Sequence, residues 1–412
     1  MRIRFRVFLM TLSVLVGWAT QSVADGGRGY GLRDFESYEW TEVNPDAEWA
    51  PRAGLQVVHQ RGSFYLMGGR TPNPPSFPPV IGDSFIWGDV WRSDDLGDTW
   101  TRLVETGAED HWPARAYFQA VNRGPFMYVL GGQNFKAGPL VCPPGVSNCS
   151  DFFNDVWRSR DGVTWTQMTA DAGWEKRAGL TSVVFRGHIY VMGGSQNDDD
   201  AIGGPGGPPR IYFNDVWRSR NGRDWQLLTD DAPWSPRAGA VAVVKQGYLY
   251  LLGGEEGFIC DPLPFCTPPY FNDVWRTRNG VDWELVTEEA GWSPRPGHQC
   301  AVLMNRIVCF GGFGLSEDPR DPFGPGNPLD VWVSRTGADW EQVSDSPWNA
   351  VEPGEGKYDF DVLSGWFPSP HGGVRPSIFT FGGDRETFDF TDPTNYLNVD
   401  NDVWRFAPPD RR

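Results

Sequence analysis

Tryptophan recurs through this chain at a spacing that points to a repeat architecture. One series, Trp91, Trp157, Trp217, Trp275, Trp332 and Trp404, sits in GDVW, NDVW or LDVW. A second, Trp100, Trp165, Trp225, Trp283 and Trp340, follows glycine-containing turns such as RDGVTW and RNGVDW. The third, Trp49, Trp112, Trp174, Trp234, Trp292 and Trp348, comes shortly before an Arg or Lys. A glycine pair marks each unit as well, at 68–69, 131–132, 193–194, 253–254, 311–312 and 382–383, which sets a period of 58 to 71 residues. One unit written six times decides the organisation of the chain.

Each unit reads as four strands. In the third, AGLTSVVF, the turn Arg186-Gly187, HIYVMGG, a long loop, NDVWRSR, a turn and TWTQMT follow one another. Alternation, β-branched residues and glycine turns indicate antiparallel strands. A lone four-stranded sheet leaves a face uncovered, so successive sheets must stack, and radial stacking gives an all-β, six-bladed β-propeller. The tryptophans are the expected filler between blades. The second series lacks a sixth member after its last unit, and Trp40 in YEWTEV supplies it. The last unit ends after NDVWRF, one strand short, so the N-terminal strand is expected to complete the last blade and leave no open edge. Residues 36–409 are then a single domain.

The start of the sequence differs from the rest. Arg2, Arg4 and Arg6 precede an apolar run from 7 to 19, and Ser22-Val23-Ala24 carries small residues at signal-peptidase spacing. This predicts a secretory signal over 1–24 with cleavage after Ala24, a linker over 25–35, and a periplasmic or extracellular protein with no membrane span. Six cysteines fit an oxidising compartment. Cys142 and Cys149 share one loop, and Cys260 and Cys266 share another. Cys300 and Cys309 flank two strands joined at Met304-Asn305, which puts them opposite each other. Three local disulfides are therefore expected, in preference to a metal site, since CxxC spacing is lacking. The formal net charge of −17 falls to about −20 once the three signal arginines are removed, which disfavours nucleic acid and anionic membranes as partners.

The glycine pair ending the second strand, the later Trp and the Arg opening the first strand resemble kelch repeats, the type seen in the central domain of galactose oxidase. Ser93 to Trp100 (SDDLGDTW) is similar to the Asp box of sialidases and other propellers, and Ser159 to Trp165 is a shorter version. In those proteins the box is a structural turn, so it implies no catalysis. Copper oxidase chemistry needs tyrosines and histidines gathered at one place. Here the five histidines, at 59, 111, 188, 298 and 371, are spread over separate units. No HExxH, GxSxG or P-loop is present, and the acidic run Asp198-Asp199-Asp200 reads as a solvated loop. No cofactor and no metal are expected.

Topology locates the expected site. The connections from second to third strand, at 70–88, 133–153, 195–213, 255–271, 313–329 and 384–401, are long and share one face, whereas the other face has short turns. Arg52, Arg115, Arg177, Arg237 and Arg295 each stand 16 residues before a glycine pair, and Lys357 takes that place in the sixth unit. These six either ring the channel mouth as ligand-binding cations or pair with the Asp of each DVW motif to hold the blades. Residues that break the repeat are the candidates for catalysis: Tyr117, His298, Tyr358, Asp359, and His371 in the insertion GWFPSPHGG. The resulting reading is a secreted, monomeric recognition module that binds a glycan or a protein through its long-loop face. The alternative is a carbohydrate-active enzyme, a lyase or sialidase-like hydrolase, acting on acidic sugars at the channel mouth.

Overall fold

The structure is a computed structural model that describes residues 32–74, 84–136, 149–197, 210–257, 269–314, 326–349, 356–369, 372–387 and 394–409. The signal segment, the linker up to residue 31, Asp198 to Asp200, His371, Cys142, Cys260 and Cys266 lie outside the described residues.

The blade follows from its turns. In the third blade Thr181–Phe185 pairs with His188–Met192, and Phe185 faces His188. That register leaves Arg186 and Gly187 as a two-residue turn, with φ of 47° and 74°. Two positive φ values in succession match the right-handed twist of the flanking strands, so the hairpin closes tightly. Arg61-Gly62, Gln246-Gly247 and Met304-Asn305 repeat this geometry in other blades. Third strand and fourth strand join through the Asp-box turn, where Ser93 Oγ accepts from the Gly97 N–H at 2.8 Å and Asp95 accepts from the Thr99 N–H at 3.0 Å.

Six such sheets are present. Blade one comprises Gln56–Gln60, Ser63–Met67, Val90–Ser93 and Thr101–Val104. Blade two comprises Gln119–Arg123, Phe126–Leu130, Val156–Ser159 and Trp165–Thr169. Blade three continues its first hairpin with Val216–Ser219 and Trp225–Thr229. Blade four comprises Val241–Lys245, Tyr248–Glu255, Tyr270–Thr277 and Trp283–Thr287. Blade five comprises Gln299–Leu303, Arg306–Phe310, Asp330–Ser334 and Trp340–Asp345. Blade six comprises Asp361–Pro368, Val374–Asp384 and Val399–Ala407, and its fourth strand is Glu39–Asn44 from the N-terminal side.

Closure by the N-terminal strand is therefore observed, with Glu39 opposite Ala407 and Trp40 opposite Phe406. The six first strands neighbour one another in an unbroken ring, the sixth against the first. The core lies between blades. The third tryptophan series is only 1–2% exposed. The first five members each meet a member of the second series nearly edge to face, as in Trp112 and Trp165 at 6.0 Å and 86°. Trp348 meets Trp40 at 5.7 Å, so the sixth pair is completed by the N-terminal strand. Edge-to-face packing of this kind adds to the area that the rings bury.

Cys300 and Cys309 are bridged across the first hairpin of blade five, as their opposition in the register allows. Cys149 is also disulfide-bonded, to a partner outside the described residues. Among the described residues no helix is long and apolar enough to cross a membrane.

Candidate functional site at the channel mouth

The repeated cations come first, because their placement decides what is left for a ligand. Arg115 donates to both carboxylate oxygens of Asp155, at 2.7 and 3.0 Å, and to the Gly131 carbonyl at 2.8 Å. Arg52 with Asp89, Arg177 with Asp215, Arg237 with Asp273 and Arg295 with Asp330 form the same fork. Lys357 takes Asp402 and Asp400. Asp89, Asp155, Asp215, Asp273 and Asp402 also receive the indole N–H of the DVW tryptophan, as Asp155 does from Trp157 at 2.7 Å. Aromatic faces cover the guanidiniums, Phe213 lying 3.8 Å from that of Arg177. All six cations are 0–2% exposed. A buried guanidinium with a bidentate carboxylate and a carbonyl has spent its donors on the fold.

The backbone of the same residues joins blade to blade. Gly69 donates to the Arg115 carbonyl at 2.9 Å, Gly132 to that of Arg177 at 2.9 Å, and Gly383 to that of Arg52 at 3.0 Å. Glycine is required there, since a Cβ on Gly132 would stand 2.5 Å from the Phe118 Cβ. Two residues beyond each cation runs a belt around the channel. Tyr117 donates to Gly54 O, Gly179 to Tyr117 O, Gly239 to Gly179 O, Asp359 to Gly297 O and Gly54 to Asp359 O, all at 2.8–3.0 Å. Tyr117 and Asp359 hold φ of 54° and 52° in positions that four blades give to glycine. Such backbone strain at non-glycine residues marks a place where side-chain identity matters.

The belt encloses a cavity of about 510 Å³ lined by the first strands of all six blades. On the long-loop side of the belt stands the residue that follows each glycine pair, Arg70, Gln133, Ser195, Glu255, Phe313 and Asp384, buried in every case but Arg70. Backbone pairing to the residue after each repeated cation fixes all six, for example Ala53 with Arg70 and Tyr358 with Asp384. The glycine pair before this position repeats, yet the position itself differs in every blade.

Arg70 links three blades. Its Nε donates to the Tyr117 hydroxyl at 2.6 Å and its guanidinium to Asp384 Oδ2 at 2.6 Å. Asp384 also accepts from the Glu386 N–H at 2.8 Å and from Tyr358. Burial raises the Asp384 carboxyl despite Arg70 beside it. Burial, and then the charge of Asp384, push Glu386 up to about 8. The Tyr358 hydroxyl is held well above its ordinary value by burial and by the same carboxylates. The result is a neutral acid, two phenols and one shared cation at the channel mouth.

Among the expected catalytic candidates, Tyr117 and Tyr358 meet in this cluster, and Asp359 lies in the belt beside it. His298 does not join them. It stacks on Trp292 at 5.1 Å in the slot that other blades fill with Leu55, Phe118, Leu180 or Phe360. Burial, with Arg295 close by, lowers it to about 3, so it is a neutral core ring. Arg70, Asp384 and Glu386 were missed by reasoning from the repeat alone. The signal that finds Arg70 and Asp384 is the changing residue directly after an invariant glycine pair, and Glu386 lies two residues beyond Asp384.

No family model matches this chain. Kelch domain-containing protein 1 of mouse (Mus musculus) is 26% identical over 251 residues, covering 56% of this chain and 55% of that protein. The human (Homo sapiens) protein of the same name gives the same figures. The solved structure of YjhT superposes with a TM-score of 0.58 over 88% of this chain and 96% of that one, at 15% identity. This chain is a kelch-repeat β-propeller. The kelch propeller spans about half the length of the curated relatives it matches, and its likeness to YjhT is one of fold.

Proposed function

We propose that this kelch propeller is a recognition module that binds a glycan at the long-loop mouth of its channel. One observation carries the reading: directly after a glycine pair that repeats six times, the residue differs in every blade, as Arg70, Gln133, Ser195, Glu255, Phe313 and Asp384. Scaffold positions repeat because packing repeats, while a bound molecule without sixfold symmetry requires unlike neighbours. Hydroxyl, amide, carboxyl and guanidinium groups around an aromatic ring suit a polyol, which needs donors and acceptors at fixed angles and one apolar surface. Kelch-type propellers with such a face equally accommodate a protein ligand, and a protein partner is the outcome to pursue if no sugar binds.

A specific observation favours an enzyme as second reading. Glu386 at about 8 beside Asp384 and Tyr358 is a protonated carboxyl able to give a proton to a sugar oxygen at neutral pH.

The test is a glycan array with the secreted form expected from the sequence, residues 25–412, covering neutral and acidic oligosaccharides, followed by product analysis of each hit. Arg70→Ala and Glu386→Gln are expected to weaken binding of a hit about tenfold or more, since each removes a charged or buried hydrogen-bonding group. Arg102→Ala, in an exposed pair with Glu105 on an outer strand, should leave it unchanged. Affinity should also fade as pH rises through about 8, where Glu386 loses its proton. A panel with no hit excludes the sugar reading. Hits insensitive to Arg70 and Glu386 remove the site from the mouth, and released products establish an enzyme.

A further inference from the structure

The face opposite the long loops carries a concentration of cations at its first-hairpin turns. In blades one to five the turn of the first hairpin holds a cation: Arg61, Arg123, Arg186, Lys245 and Arg306. The turns themselves, QRGS, NRGPF, FRGH, KQGY and LMNR, contain no acidic residue, in a chain of net charge −17. Because the first strands line the channel, these turns surround its short-turn mouth. Arg123 donates to the Gly187 carbonyl of the next blade at 2.8 Å, and Arg186 to the Gly247 carbonyl at 3.3 Å. Carbonyls orient these cations without neutralising them.

Lys245 is the focus. It is only 3% exposed, and its Nζ meets Gln246 Oε1 at 3.3 Å. The charged groups that face it come from three other strands and turns: Arg306 from blade five, Arg335 from the turn after Asp330–Ser334, and Arg276 from blade four. All have its own sign, and together with burial they lower its pKa. Arg276 is occupied by Glu284, at 2.9 and 2.8 Å. Arg335 is exposed and has no partner among the described residues. Covered ammonium groups ordinarily have a counter-charge, since desolvation without one is costly. Among the described residues Lys245 has no carboxylate. Its five-residue strand repeats a pattern in which other blades place Gln60, Arg123, Phe185 or Leu303 at this position, so packing does not demand a cation in every blade.

We propose that the short-turn face holds an oxyanion site, with Lys245 at its base and Arg306 and Arg335 beside it, for a tetrahedral group of the phosphate or sulfate class, free or as an ester. An ammonium supplies a point charge, and guanidiniums supply the planar fork that such oxygens accept. Arg61, Arg123 and Arg186 extend the positive field around the mouth, drawing an anion toward a protein that repels it elsewhere. The site is separate from the glycan mouth and does not depend on it.

Titration calorimetry of the full chain at low ionic strength tests this, with sodium sulfate and inorganic phosphate as probes. Glycerol 3-phosphate and N-acetylglucosamine 6-sulfate distinguish a lipid-type from a sugar-type ester. One-to-one binding that weakens with added chloride is expected. Arg335→Gln, an exposed change that leaves packing alone, should raise Kd about tenfold, Lys245→Met should abolish binding, and Lys245→Arg should keep it. Arg70→Ala should have no effect. Absence of binding by all four probes, or binding equal in wild type and Arg335→Gln, overturns the proposal. If Lys245→Met does not fold, Arg335→Gln against Arg102→Gln decides alone.

Discussion

At the residue scale, the same side-chain type does different work according to what surrounds it. The repeated Arg in front of each first strand is fully enclosed and forked onto Asp, whereas Arg70, one position past a glycine pair, joins two neighbouring blades at the channel mouth. His298 shows the converse, a titratable residue in an apolar slot. Its folded pKa, about 3, lies below its ordinary 6.5, so the unfolded chain takes up a proton that the native state refuses between those values. Stability therefore falls as pH drops through that window, by up to about 1.4 kcal/mol per pH unit from this group. His298→Phe, which copies the residue of blades two and six, should flatten the acid limb of a urea-denaturation series recorded from pH 7 to pH 4. An unchanged acid limb would mean that the imidazole is solvated. Sequence reasoning singled out His298 because it breaks the repeat, and burial was the missing fact. Spacing along a chain tells which residues are unlike their counterparts, but not whether the odd one faces a ligand or a neighbouring blade.

At the scale of the element, local pattern was legible and its inter-blade chemistry was not. Hairpin turns, the four-strand unit, the opposition of Cys300 and Cys309, and the role of Trp40 could all be read from spacing, since each depends on contacts inside one sheet or on a count that fails to close. The belt of hydrogen bonds from blade to blade was hidden, because its members are sixty residues apart and mostly glycine. Phe406 illustrates how element and sequence agree. In the five blades where strands three and four are joined by a turn, the residue at this place is Ser93, Ser159, Ser219, Thr277 or Ser334, whose hydroxyl accepts from the turn glycine. In blade six the two strands come from opposite ends of the chain, no turn exists, and Phe406 packs on Trp40 at 4.9 Å instead. Trp40→Ala should lower stability by about 2–3 kcal/mol, less than a fully buried tryptophan because its ring is partly covered. Equilibrium denaturation measures this, and a change under about 0.5 kcal/mol would show that the N-terminal strand contributes little to the last blade.

At the scale of the whole molecule, the ring is one cooperative object because its last blade is built from both ends. The intact chain should melt in a single transition with calorimetric and van't Hoff enthalpies in agreement. A chain shortened to begin at residue 46 loses the fourth strand of blade six and should melt lower, with the two enthalpies no longer equal. Retained agreement would mean that five blades and a three-stranded sixth suffice for closure. The two mouths of the channel differ in kind: one carries a ring of unlike residues under long loops, the other a rim of like charges on short turns. The pairing of Glu39 with Ala407 has a practical sequel. The strand Glu39–Asn44 begins beside the end of Val399–Ala407, at the outer rim of the short-turn face. A tag, tether or fused domain joined at either of these points would hang from that side, so an immobilised molecule would present its long loops outward like a dish on a stalk.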